Sequence, residues 1–285
     1  MALRPASLAD LTALTALFRA YDEVEMGSAD MDADDVRELF DEPTGVRVVD
    51  ERAGRLIGFA QVDGKGDLES VTDPVEPGFR ARQAELVSWC LDRARSLGLT
   101  EVQHWTGGRP DGAAQVLQDA GFRHVRTSWR MRRALGPELV PPRWPEGVSL
   151  RAFDRDRDSH EVWTLVQRGF AGAYGSRRRT LQEWQRVFLT LNADVLCAVE
   201  EGAIIGVAVV SLREEAGFIP QLVVAEEHRG RGIATALLHS SFTRHAEVGK
   251  DTTLNVDGEN DRASRVYLQA GMQVESAFWH WACAL

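Results

Sequence analysis

The sequence has no apolar run long enough to span a bilayer, and its start, Met1-Ala2-Leu3-Arg4-Pro5, lacks the apolar core of a leader peptide. It is poor in cysteine: Cys90, Cys197 and Cys283 are scattered, odd in number and without metal-ligand spacing. That pattern points to buried thiols in a reducing, cytoplasmic setting and to no metal site. A Cys nucleophile stays open, although no local His-Cys signature supports one. Positive charge is in deficit, with 33 Lys and Arg against 43 Asp and Glu and a net charge of −10. Nucleic acid and anionic membrane both require clustered Lys and Arg, so neither is expected as a partner. What is present is 44% apolar residues over 285 positions, enough for real cores in one large or two ordinary domains. Monomer and homodimer are equally compatible with this composition.

Residues 134–148, ALGPELVPPRWPEGV, hold four prolines and no regular apolar period, which reads as a linker. The expected domains are 1–133 and 149–285, and the two halves repeat one order of features. Each opens on an apolar-Arg start, Leu3-Arg4-Pro5 and Leu150-Arg151-Ala152, followed by a helix-like segment. A hairpin signal comes next, over 46–62 and 195–210, where apolar runs flank a polar, Gly-containing turn. Then come a long amphipathic helix, a strand, a helix ending in Ala-Gly and an aromatic strand. The endings AGFRHVRTSWRM (120–131) and AGMQVESAFWHW (270–281) place Ala120/Ala270, Gly121/Gly271 and Trp129/Trp279 each 150 positions apart. Duplication of a mixed α/β unit explains this order.

In the second half, an apolar strand near Ile219–Val224 runs into Arg229-Gly230-Arg231-Gly232-Ile233-Ala234 and then a helix. A helix start leaves several backbone N–H groups without partners and carries partial positive charge. Glycines let a phosphate approach that backbone. Arg229 and Arg231 add charge, so the segment reads as an anion site sized for a pyrophosphate. It is neither a Walker loop, which needs Gly-Lys-Ser/Thr, nor the three-glycine dinucleotide fingerprint. Further on, Leu254-Asn255-Val256 reads as a strand and Asn260 or Asp261 as the cap of a helix that ends at Gly271. Ala263, Val266, Tyr267 and Ala270 lie along one face of it.

These residues resemble the GCN5-related N-acetyltransferase (GNAT) superfamily, whose [RQ]-x-x-G-x-[GA] motif is filled by Arg229, Gly232 and Ala234. Its second signature, an Asn followed seven residues later by a Tyr and then a Gly-aromatic pair, is matched by Asn260 and Tyr267, with Met272 where Phe is common. The tandem arrangement is similar to mycothiol synthase-like acetyltransferases. The resemblance implies two GNAT-like domains, each a mostly antiparallel twisted sheet flanked by helices. It further implies acetyl-CoA as co-substrate and a small-molecule or peptide amine as acceptor. Loop residues Arg229, Gly230, Arg231, Gly232, Ile233, Ala234 and Thr235 would hold the pyrophosphate. Leu222, Val223 and Val224 would pair with the pantetheine arm and polarise the acetyl carbonyl. Asn260 would contact the coenzyme, and Tyr267 would act as general acid toward the departing thiolate.

Applied to the first half at an offset of 150, Gly232 falls on Arg82, Ala234 on Ala84, Arg229 on Phe79, Asn260 on Pro110 and Tyr267 on Leu117. One working acetyl-CoA site, in the second half, is the expectation. No base stands out: the position five before Asn260, a Glu in the ribosomal-protein alanine acetyltransferases, is Asn255 here. Glu214, Glu215, Asp257 and His280 are the substitutes on offer. Tyr21, Asp22, Glu23, Glu25, Phe170 and Tyr174 are candidates for the acceptor side. A non-catalytic acyl-CoA-binding regulator and, more narrowly, a mycothiol synthase are the alternative readings.

Overall fold

The computed structural model describes residues 3–29, 31–109, 112–136, 139–176, 178–190 and 193–285. The first half runs β1 (Leu3–Pro5), α1 (Leu11–Met26), α2 (Ala33–Asp41), β2 (Val46–Arg52), β3 (Arg55–Val62), β4 (Asp67–Thr72), α3 (Phe79–Ser96), β5 (Glu101–Gly107), α4 (Ala113–Asp119) and β6 (Arg123–Arg133). The second repeats that order as β7 (Val148–Ala152), α5 (Arg155–Gly169), α6 (Leu181–Phe188), β8 (Ala193–Glu200), β9 (Ala203–Leu212), β10 (Gly217–Val224), α7 (Ile233–Ala246), β11 (Thr252–Asp257), α8 (Asp261–Gln269) and β12 (Gln273–Ala284). Short polar side chains start several helices: Asp32, Asp154, Thr180 and Asn260 each accept from backbone amides of the first turn. The proline-rich stretch has no helix or strand among its described residues until Val148 opens β7.

The chain divides into two compact units, one of Met1–Ser128 with Ser276–Leu285 and one of Trp129–Glu275. The boundary is therefore not the linear one at 133/149. Strand order in the first unit is β1-β2-β3-β4-β5-β12, and in the second β6-β11-β10-β9-β8-β7. The last strand of each half completes the sheet begun by the other. Both strands follow an Ala-Gly helix end and carry alike aromatic patterns, so either can satisfy the edge amides that β5 and β11 expose. His280, on β12, consequently belongs to the first unit, where it bonds Ser128 at 2.9 Å and stacks on Trp105.

Each unit's sheet is mostly antiparallel and includes a parallel pairing. β4 pairs with β5 in parallel at Asp67↔Gln103 and Leu68↔His104, and β10 with β11 at Gly217↔Thr252 and Phe218↔Thr253. Beyond those pairs the strands part, leaving one edge of β4 and of β10 open. Helices cover both faces of each sheet. In the first unit, α1 packs on Val49, Phe59 and Val71, while α3 packs on Ala60, Val62 and Leu68. In the second, α5 and α6 cover Val195, Val207 and Val223, and α7 covers Leu196, Ala208 and Val224. Strand alternation sends neighbours to opposite faces, which is why these runs are apolar throughout.

Candidate active site

β10 delivers the chain to the loop through a break in its own regularity. Its register against β9 shifts between Phe218 and Gln221, at Pro220, which has no N–H to give a ladder. The shift turns Gln221 and Val223 toward α5 and α6, and Leu222 and Val224 toward α7. Gln221, absent from the sequence reading, is buried and accepts a hydrogen bond from Trp184 Nε1 at 2.9 Å. A proline inside an otherwise strand-like run was the available signal for that bulge.

After Val224 a 3-10 turn (Glu226–His228) leads to Arg229, whose Nε donates to Val224 O at 3.1 Å. Gly230 (φ +80°) and Gly232 (φ +87°) are left-handed, and a Cβ added at either would meet nothing within 4 Å. Gly232 caps α7 with no side-chain hydrogen bond, and the first helical bond is Ala236 N to Gly232 O. The amides of Gly230 to Thr235 thus have no acceptor among the described residues. Arg231 donates to Glu200 Oε2 at 2.9 Å and to His228 Nδ1 at 3.0 Å, so its charge is already shared. Glu200 was also missed in the sequence, being distant from the loop along the chain.

Packing joins the anticipated residues. Leu222, Val224, Ile233 and Ala234 share one apolar cluster, and Leu222 also borders the cluster around Tyr267, with Ile219, Leu238, Val256 and Met272. Burial pushes the Tyr267 phenol up to about 12, so it stays protonated at every physiological pH. Asn260 spends its side-chain oxygen on the Ala263 amide at 3.1 Å, and Thr235 lies in the first turn of α7.

Of the substitute bases, His280 belongs to the first unit and Asp257 ends β11 beside β10. Glu214 and Glu215 are exposed at the β9–β10 turn, about 23 Å along β10 from Val224 by strand rise. Asp257 accepts from the Glu259 amide. Tyr21, Asp22 and Glu25 are buried in the first unit and serve its structure: Asp22 accepts from Met31 N, and Glu25 from Ala113 N. Glu23 is exposed, Phe170 borders a core cluster and Tyr174 lies at the surface. All three cysteines are buried, and burial pushes Cys197 up to about 12 and Cys90 further, which removes thiolate chemistry.

The comparison of halves needs one correction. Gly78, left-handed at φ +75°, caps α3 as Gly232 caps α7, so these two correspond, 154 positions apart. Arg82 lies within α3, paired to Asp50. The loop before α3 (73–78) is two residues shorter than that before α7 (225–232), and α3 is 18 residues against 14. The register returns to 150 at Leu117 and Tyr267, in helices that each end in Ala-Gly. Pro110 lies outside the described residues.

The acetyltransferase (GNAT) family model matches residues 159–272, the stretch that contains loop, helix and Tyr267. The mycothiol acetyltransferase of Thermobispora bispora is 30% identical over 274 residues, covering 86% of this chain and 90% of that one. The same-named protein of Actinosynnema mirum is 32% identical over 233 residues, covering 76% and 77%. The chain belongs to the GNAT acetyltransferase family. It is an N-acetyltransferase, of a family that uses acetyl-CoA as co-substrate. Among solved GNAT structures, a GCN5-related N-acetyltransferase from Sphaerobacter thermophilus aligns with TM-score 0.75 and 25% identity over 99% of this chain and 95% of that one. A tandem GNAT protein from the clavulanic acid biosynthesis pathway aligns with TM-score 0.80 over 99% and 98%, and at 18% identity it bears on fold alone. No helix among the described residues is long and apolar enough to cross a membrane.

Proposed function

We propose that this acetyltransferase moves the acetyl group of acetyl-CoA to a primary amine of a small molecule or peptide, at one site in the second unit. The six amides of Gly230 to Thr235, free of acceptors beside the open edge of β10, carry the reading. Both glycines leave room for an anion, and neither arginine plugs the loop, so the residues fit a diphosphate. In that role the loop holds the pyrophosphate, and Asn260 flanks the coenzyme. Alternate amides of Leu222, Val223 and Val224 face the open edge, where they can pair with an amide arm and stabilise charge on a carbonyl oxygen.

The reaction is attack of the neutral amine on the thioester carbonyl, with loss of the thiolate. Tyr267 supplies the proton donor. With the phenol near 12 and a thiol near 8.5, complete transfer is uphill by about 5 kcal/mol. Tyr267 therefore acts by hydrogen bonding to the leaving sulfur more than by giving up its proton. Among the described residues of the second unit no side chain stands out as base, which favours an acceptor whose amine titrates near 8 over a lysine-like amine near 10.4.

A narrower reading has support of its own. The curated relatives are mycothiol acetyltransferases at about 30% identity along most of the chain, which favours a cysteinyl amine on a glucosamine-inositol. We also read the first unit as a diverged copy that no longer binds the coenzyme. The test is amine-dependent release of free CoA across a panel that includes this acceptor. Release with it alone establishes the narrow reading, and release with other amines the broad one. Tight acetyl-CoA binding without release from any amine overturns both.

A further inference from the structure

Gln221 lies in the stretch of β10 beyond its pairing with β11, where β9 holds one edge and the other is open. Its side chain points to the face covered by α5 and α6, and its Oε1 accepts from Trp184 Nε1 at 2.9 Å. An indole N–H can only donate, so this bond fixes which end of the amide is oxygen. Trp184 is fully buried and Gln221 is 8% exposed, so the amide is held in one pose. Gln221 Nε2 has no partner among the described residues, yet it is not sealed from solvent. The amide therefore presents donors and no acceptor. Helix α5 ends on the same face: Gly169, its last residue, lies so close to Val223 that an added Cβ would strike that side chain.

The coenzyme loop and Tyr267 lie on the α7 side of the sheet, which leaves the α5 and α6 side for the amine. Strand rise puts Gln221 about 7 Å from Val223, a span that a glutamine side chain covers in large part. Resting on the proposed acetyl transfer, we infer that Gln221 is a specificity-determining residue for acceptors with a carbonyl oxygen next to the amine, the α-aminoacyl amides. Gln221 Nε2 donates to that carbonyl while the amine attacks the thioester. The C–N bond forms as the C–S bond breaks, and a proton of the amine passes through water to the thiolate. An alkyl group in place of the carbonyl would desolvate the Nε2 donors without pairing them, which is how a polar site rejects an analogue. The class agrees with a second observation, the want of a base, since an α-amine titrates near 8.

The experiment compares L-alaninamide with 3-methylbutan-2-amine, which has the same shape without the carbonyl, as kcat/KM per free-base concentration. Gln221→Glu and Gln221→Met both remove the N–H donors at constant length; Glu also keeps an acceptor for Trp184. Circular dichroism and acetyl-CoA affinity check that each variant folds, and a ratio taken in one sample cancels any unfolded fraction. Expected is a preference for L-alaninamide that falls at least tenfold in either folded variant, with acetyl-CoA affinity kept. A preference within threefold of the unaltered protein's, or an equal loss for both amines, overturns the inference. Release of CoA by alkylamines but by no α-aminoacyl amide overturns it alone, whereas release by no amine removes the acetyl-transfer reading itself.

Discussion

Gly232 and Gly78 cap their helices in the same left-handed bend, yet the loops that deliver them differ in charge, Glu226 and Glu227 balancing Arg229 and Arg231 in one while Asp73 and Glu76 are unopposed within the other. Before Gly232, His228 and Arg231 meet the acid Glu200 at the end of β8, while Arg229 turns back to Val224 O. Before Gly78 stand Asp73 and Glu76, tied to Arg55 and Arg52, which flank the turn between β2 and β3. The ion pair between loop and hairpin is kept and its sign reversed. Pro77 has no N–H, and the first amide of α3, Phe79, already donates to Glu76 O at 3.1 Å. The parting of the strands differs as well. In the first unit Gln83 of α3 donates to Tyr21 of α1 and to Ser70 O of β4, and Arg80 reaches Glu25. Helices on opposite faces of the sheet are thus linked where β4 leaves β5. A matching bend is therefore no proof of a matching site; free amides and an unfilled gap are also required.

The largest test exchanges the two glycines. Gly232→Glu should weaken acetyl-CoA binding at least a hundredfold by calorimetry, since a carboxylate then stands where the proposed site receives the diphosphate. Gly78→Glu carries the same left-handed strain, about 1 kcal/mol, and should change affinity less than threefold. Equal losses would erase the distinction between the units.

Next come the paired helix positions. Tyr267→Phe should lower kcat ten- to a hundredfold with KM for acetyl-CoA little changed. Leu117→Ala, at a fully buried site, should cost about 2–5 kcal/mol in denaturant titration and leave turnover per folded molecule unaltered. A Tyr267→Phe variant with full kcat removes the proton donor from the scheme.

A pH titration probes what the units share. Each holds a buried, neutral histidine near the parting strands: His104 bonds Ser70 at 2.7 Å, and His245 bonds Thr252 at 2.8 Å. Burial takes both down to about 4. The unfolded chain then binds more protons between about 6.5 and 4, so stability is complete above 6.5 and lost as pH falls through that window. From pH 7 to 5 each should cost about 2 kcal/mol, and His245→Gln should flatten half of that slope. An unchanged slope in the variant contradicts a neutral buried His245.

The smallest effect is expected at Glu200→Gln. Freeing the Arg231 guanidinium should tighten acetyl-CoA binding two- to fivefold, most visibly at low salt. Weaker binding instead would mean that Glu200 holds the loop in shape more than it neutralises charge.

Much of this was legible beforehand because it rests on local rules. The hairpins at 46–62 and 195–210, the cap at Asn260, the Ala-Gly helix ends and the loop at 229–234 follow from periodicity, capping and glycine placement. The offset at Gly78 was not, because a shorter loop and a longer helix cancel by the time the chain reaches Leu117. Tyr21, Asp22 and Glu25 looked like surface acids and an accessible phenol, whereas α1 turns them inward.

Residue order by itself determined that there are two copies of one fold and that the second has a glycine-led helix start, since capping and glycine placement are properties of neighbours along the chain. Tertiary structure alone decided that β6 and β12 serve opposite units, that Glu200 meets Arg231, and that Gln83 fills the first gap while the loop amides of the second stay free. Those outcomes depend on which distant groups share a low-dielectric neighbourhood, and strand pairing, not sequence distance, sets that.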